Sequence, residues 1–244
     1  MHDAVLIGVG GLIAGIVSGV TGFGFSLVAT ALWSHFLEPA RVTTLALVYM
    51  LTLNVMYLPV FWRQIPWVRL MPLAAGGVLG VPLGAAALGV LPGDVMRRTV
   101  GAVLLAYAVV MLRRGPRQPM QLQPKQALWA DGVVGFLGGV LGGLASLAGM
   151  LPTLWIALQG GDKTTNRALV QAYILLVGVM GIAWVGRFIG IDEGMQSQLW
   201  MGMPFVLLGG LLGLRVFARM SSQRLNQLVL TLLGVCGALL LFRG

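Results

Sequence analysis

Charge in this chain is confined to short clusters separated by apolar runs of about 20 residues, the length that crosses about 30 Å of hydrocarbon as α-helix. Only 9% of residues are charged, against about 25% in soluble domains, so no aqueous fold can bury the remainder. A membrane β-barrel needs segments of about 10 residues that alternate apolar and polar, and none occurs. The chain therefore reads as an all-α polytopic membrane protein. Its apolar segments fall at 4–33, 42–62, 70–91, 100–112, 130–158, 168–188, 199–214 and 225–242, four in each half.

The two halves share a pattern. Gly11, Gly15, Gly19 and Gly22 recur as Gly135, Gly139, Gly143 and Ser146, a constant shift of 124 positions. We expect an N-terminal repeat over 1–112, a cytoplasmic linker over 113–127 and a C-terminal repeat over 128–244. The linker contains Pro116, Pro119 and Pro124 among Arg and Gln, too polar and proline-rich to stay helical in lipid. The first segment of each repeat is oversized: about 30 residues of helix would measure about 45 Å. Each must tilt, break or fold back. If every segment crosses once, the repeats are parallel and Lys and Arg divide eight and eight between the two faces. If the first segment of each repeat is broken or re-entrant, the repeats are inverted and the division is eleven to five. The second arrangement supplies the bias that cytoplasmic faces carry.

Composition also narrows function. A net charge of +9 would suggest nucleic acid for a soluble protein, but these cations flank apolar spans and read as topology signals and contacts to the lipid bilayer. We expect no nucleic-acid partner. His2 and His35, the only histidines, stand near segment ends, which leaves no HExxH metal site and no Ser-His pair in the bilayer. No nucleotide-binding loop occurs, so no cofactor, no metal and no enzymatic activity is expected. The seven acidic residues, Asp131 among them, read as lying at span ends or in loops. The start lacks the basic region of a cleaved signal peptide, and the expected location is a bacterial inner membrane. A homodimer is one assembly such a chain could form.

Small residues four apart let membrane helices approach closely, so Gly11, Gly15, Gly19, Gly135, Gly139 and Gly143 are expected to be packing faces. Gly22 and Gly24, flanking Phe23, do not fit one helix face, and Gly149 stands three residues before Pro152. Such spacing suits unwound backbone, tolerated at membrane depth only where it lines a cavity or is buried in protein. Free N–H groups and helix N-termini beyond the breaks would suit an anion.

The doubled pattern, Gly19-Val20-Thr21-Gly22-Phe23-Gly24-Phe25 in one half and Gly143-Leu144-Ala145-Ser146-Leu147-Ala148-Gly149-Met150-Leu151-Pro152 in the other, resembles the sulfite exporter TauE/SafE family across essentially the whole chain. That resemblance implies a transporter of sulfite, sulfonates or related small anions. After each broken segment comes a polar turn and a basic residue: Arg41 in the first half, and Lys163, Thr164, Thr165, Asn166 and Arg167 in the second, with Gln171 one turn beyond Arg167. Arginine can hold an oxyanion through forked hydrogen bonds. The candidate substrate-binding set is Thr21, Gly22, Phe23, Gly24, Ser146, Gly149, Arg41, Thr165, Asn166, Arg167 and Gln171. Asn54 is expected to bond another helix. The expected function is export of a small anion by alternating access. An anion channel and a non-transporting membrane anchor are the alternatives.

Overall fold

The computed structural model describes residues 2–34, 36–90, 123–188 and 193–221, with scattered positions between 95 and 109 and between 223 and 238. The expected fourth and eighth segments lie largely outside the described residues, as does 113–122 of the expected linker. Among the described residues every regular element is helical. The order is α1 (His2–Thr21), α2 (Phe25–Trp33), α3 (Pro39–Phe61) with a 3-10 turn at Trp62–Gln64, α4 (Trp67–Val90), α5 (Pro124–Ala145), α6 (Met150–Gln159), α7 (Lys163–Phe188) and α8 (Glu193–Arg219). Five stretches, in α3, α4, α5, α7 and α8, are long and apolar enough to cross a bilayer.

Both oversized segments break where small residues interrupt them, at Gly22–Gly24 and at 146–149. The pieces beyond, α2 with 9 residues and α6 with 10, reach only about 14–15 Å at 1.5 Å per residue, half a hydrocarbon core. Each folds back on the helix before it. Trp33, at the end of α2, packs against Gly10 in the middle of α1. On α6, Pro152 lies against Gly138, and Trp155 reaches Asp131 near the start of α5.

The glycine ladders set helix pairing. Gly8 faces Phe205, Gly11 faces Val206, Gly15 faces Gly209 and Gly210, and Gly19 faces Gly213, so α1 and α8 run side by side in one sense. The equivalent ladder on α5 does the same with α4: Gly76 meets Gly132, Gly80 meets Phe136, and Gly84 meets Val140. Gly8 and Gly11 meet side chains, while the contacts of Gly15, Gly19, Gly76, Gly80 and Gly84 are backbone to backbone. A methyl at Gly19 would sit 2.7 Å from Gly213 Cα, closer than carbon atoms pack, so the small residues are what lets the helices touch. The packing expectation for the six ladder glycines holds.

The remaining directions follow from similar registers. Tyr49 of α3 faces Gly202 and Tyr57 faces Gly210, so α3 runs with α8. Leu47 meets Gly181 and Leu51 meets Gly178, so α7 opposes α3. Gly138 meets Tyr173 and Gly142 meets Val177, so α5 runs with α7. α1 and α5 thus run in opposite senses, as do α3 and α7. Arg63, Arg69, Lys125, Lys163, Arg167, Arg215 and Arg219 gather at one end of the bundle, where α3 and α8 finish and α4, α5 and α7 begin.

Three expectations need correction. α5 begins at Pro124, so the end of the expected linker is helical; proline at a first helical position loses no hydrogen bond and its fixed φ suits the helix. Asp131 lies toward the start of its span, but buried within it rather than at an exposed end. It is 1% exposed inside the apolar stretch Lys125–Leu144 and is held by Arg69 of α4 through bonds of 2.9 and 3.0 Å. Asn54 Nδ2 donates to Met50 O of its own helix at 2.8 Å rather than to another helix.

Candidate anion site at the broken helices

α1 stops because Gly22 takes φ +90°, a region where a Cβ clashes with the backbone. Thr21 shapes the turn after it. Its Oγ1 donates to Val17 O at 2.9 Å and accepts from the N–H groups of Gly24 at 3.0 Å and Phe23 at 3.4 Å. Gly22 N–H donates to Ser18 O at 2.7 Å. The expectation of free N–H groups at Gly22 and Gly24 therefore fails, because a threonine hydroxyl can bond local backbone in place of a helix. The first turn of α2 carries no side-chain cap, so its leading N–H groups keep the partial positive charge of a helix N-terminus. A methyl at Gly22 would meet nothing closer than Arg167 Cγ at 3.7 Å, so Gly22→Ala is expected to cost only its backbone strain, about 1–2 kcal/mol. Thermal unfolding of the purified protein measures it.

The second break mirrors the first with different chemistry. Ser146, equivalent to Gly22 by the shift of 124, is the only described non-glycine residue with positive φ, at +57°. Its Oγ donates to Thr43 O at 3.1 Å. Gly149 caps α6 without a side-chain bond and packs against Ile174 and Phe23. The two breaks touch there, since a methyl on Gly149 would lie 2.8 Å from Phe23 Cβ.

α7 delivers Arg167 to the first break. Gly160 and Gly161, at φ +76° and +97°, turn the chain out of α6. Asp162 then caps α7, its Oδ2 accepting from the N–H groups of Thr164 at 2.9 Å and Thr165 at 3.0 Å. These bonds hold the Asp162 carboxyl below its ordinary value of 3.8. A carboxylate with a lowered folded-state pKa stabilises the fold above its unfolded value and loses that effect as the pH falls through the folded value. The melting-temperature gap between wild type and Asp162→Ala is accordingly expected to be full at pH 6 and to shrink below about pH 3.8. Thr165 and Asn166 serve this same turn, Asn166 Nδ2 donating to Gly160 O at 3.0 Å, so the structure spends both on the start of α7. Arg41 stands half-buried at the start of α3, two residues before Thr43, beside the other break.

Arg167 is 5% exposed. Nη2 donates to Gly19 O at 2.6 Å and Nη1 to Val20 O at 3.2 Å, which places the cation at the negative end of α1. The guanidinium sits 4.0 Å from the Phe217 ring centroid, 5.0 Å from Phe61 and 5.6 Å from Tyr57. Carbonyls and ring faces offset part of the cost of burying a cation. No carboxylate lies within ion-pair distance among the described residues. Among the described residues Arg167 Nε and the two amide atoms of Gln171 have no hydrogen-bond partner, and the Tyr57 and Ser18 hydroxyls have none beyond each other. Gln171, 2% exposed, stands one turn along α7.

The structure thus joins Arg167 to Gly19, Val20 and Gly22, Thr21 to Phe23 and Gly24, and Phe23 to Gly149, with Gln171 one turn along α7 from Arg167 and Ser146 bonded to Thr43. Ser18, Tyr57, Phe61 and Phe217 were missed. Ser18 alone carried a sequence signal, one turn before Gly22 on the ladder helix; the rings arrive from helices remote in sequence.

A family profile described as Sulfite exporter TauE/SafE matches residues 7–240. Comparisons with curated proteins and with solved structures returned no match. The profile covers nearly the whole chain, and the described helices are those of a multi-pass membrane protein. The chain belongs to the sulfite exporter TauE/SafE family, a family of membrane transporters for sulfur-containing anions.

Proposed function

We propose that this protein exports sulfite or a small organosulfonate across a bacterial inner membrane by alternating access, with Arg167 as the counter-charge of the anion. One observation carries the reading: a guanidinium buried in a membrane helix, with an unpartnered Nε and no carboxylate in reach among the described residues. A buried cation without a counter-ion is costly in lipid, and an arriving oxyanion removes that cost. Nε of Arg167 and the amide of Gln171 supply donors, and the uncapped start of α2 adds positive potential.

Direction follows from charge. The repeats are inverted in this reading, and the end of the bundle rich in Arg and Lys faces the cytoplasm. Arg167 lies toward that end, so the anion is collected from inside. With the interior negative, each negative charge expelled gains about 2.3 kcal/mol per 100 mV, and export needs no coupled ion. Phe23 against Gly149 and the burial of Arg167 describe an occluded state, which alternating access requires and an open channel lacks. A simple anchor would have no use for an unneutralised buried arginine.

Flux of sulfite, sulfoacetate and sulfate through the purified protein in liposomes tests the reading. Saturable flux of at least one sulfur anion is expected, and flux of none would overturn it. Topology has its own check. In a Cys236→Ala background, single cysteines at Gln126 and Gln196, both exposed, are expected to be labelled from opposite faces. Labelling from one face would remove the inverted arrangement.

A further inference from the structure

Apart from the Arg167 site, one buried polar cluster joins three elements. Asp131 Oδ1 accepts from Trp155 Nε1 of α6 at 2.6 Å and from Arg69 Nη2 of α4 at 2.9 Å, and Oδ2 accepts from Arg69 Nε at 3.0 Å. The clamp from arginine is bidentate, so the carboxylate is fixed in direction as well as place. The rest of the α6 packing is apolar, through Pro152, Leu154 and Ile156.

Among the described residues the other re-entrant helix has no carboxylate tie; its one side-chain bond to a neighbour is the weak donation of Ser26 Oγ to Met50 Sδ of α3 at 3.6 Å. The position equivalent to Asp131 under the shift of 124 is Ile7. α2 is held instead by Trp33, wedged on Gly10 with edge-on contacts of 6.1 Å to Phe25 and 5.9 Å to Tyr49. Both half-helices pack through apolar side chains, but α2 adds only a weak hydroxyl–thioether contact while α6 adds a charge-assisted hydrogen bond to a clamped carboxylate. α6 matters to the site because its first residues follow Gly149, which closes on Phe23.

We infer that Asp131 is a positioning residue for transport: through Trp155 it latches α6 in the closed position at the arginine-rich end of the bundle, with Arg69 orienting the carboxylate. Opening on that face breaks one hydrogen bond, while α2 stays seated. The inference rests on the transporter reading above.

Trp155→Phe removes the N–H and keeps an aromatic ring. In a Cys236→Ala background, a cysteine at Leu154, buried on α6, is labelled with a membrane-impermeant maleimide in vesicles of either orientation. Trp155→Phe is expected to speed labelling about tenfold from the Arg69 face, to leave the other face unchanged, and to alter Vmax with KM preserved. Asp131→Asn, which keeps an acceptor for Trp155 but loses the bidentate clamp on Arg69, should do the same more weakly. Labelling at the parent rate in a Trp155→Phe protein of unchanged melting temperature would overturn the latch, as would equal acceleration from both faces, the mark of general loosening. Selective acceleration in a protein that moves no sulfur anion would uphold the latch and count against the transporter reading alone.

Discussion

Arg167→Lys is expected to cut anion flux about tenfold to a hundredfold, nearly as far as Arg167→Ala. In the folded protein Nη1 and Nη2 are already committed to Val20 and Gly19 carbonyls, and Nε remains for a ligand. A lysine ammonium is one point on a flexible stem, without the rigid fork that serves the end of α1 and an anion together. It also forfeits the planar face that stacks on Phe217 at 4.0 Å. If Arg167 only marked a helix end, lysine would replace it at little cost. Flux measured beside monodisperse yield separates these outcomes. Folded Arg167→Lys protein with wild-type flux would show that transport needs neither the fork on the α1 carbonyls nor the free Nε.

The second large effect concerns assembly. Gly139→Ala is expected to destabilise by about 3 kcal/mol or more, at the upper end of overpacking costs. The added methyl would overlap the backbone carbonyl of Gly77 on α4. A flexible side chain can swing aside, but a helix backbone carbonyl moves only if the whole α4–α5 pair separates. Gly132→Ala on the same helix is the control. Its methyl would come no closer than 3.7 Å to Pro72 O, and alanine favours helix by about 1 kcal/mol over glycine, so that variant should match or exceed wild type. Thermal unfolding in detergent compares the two. Equal melting temperatures would mean that the ladders do not set helix approach.

What the sequence made legible was whatever depends on spacing along one helix. Gly11, Gly15 and Gly19, four apart, share a face by geometry alone, and so did their copies in the second half. The breaks at Gly22 and Ser146 were visible because small residues at irregular spacing cannot serve one face. Local side-chain bonding was less visible. Thr21 takes the N–H groups that the break would otherwise free, and Asp162 takes those at the start of α7, drawing Thr165 into the turn. Asp131 was misplaced because Pro124 read as a breaker, which started the span too late; as a first helical residue Pro124 lengthens α5 and carries Asp131 inside. The rings around Arg167 could not be read at all. Tyr57, Phe61 and Phe217 meet it only through the pairing of α3 with α7 and of α8 with α1 and α3.

The central claim is that a buried, unneutralised Arg167 binds the transported anion in a carrier. Counterflow tests it most directly: liposomes loaded with unlabelled sulfite are diluted into a trace of radiolabelled sulfite, and label accumulation is followed in wild type and Arg167→Lys. The account predicts a transient, saturable overshoot of label in wild type and none in Arg167→Lys protein of equal monodispersity. An equal overshoot in both proteins, or a flux in wild type that rises linearly with concentration and never overshoots, would contradict it.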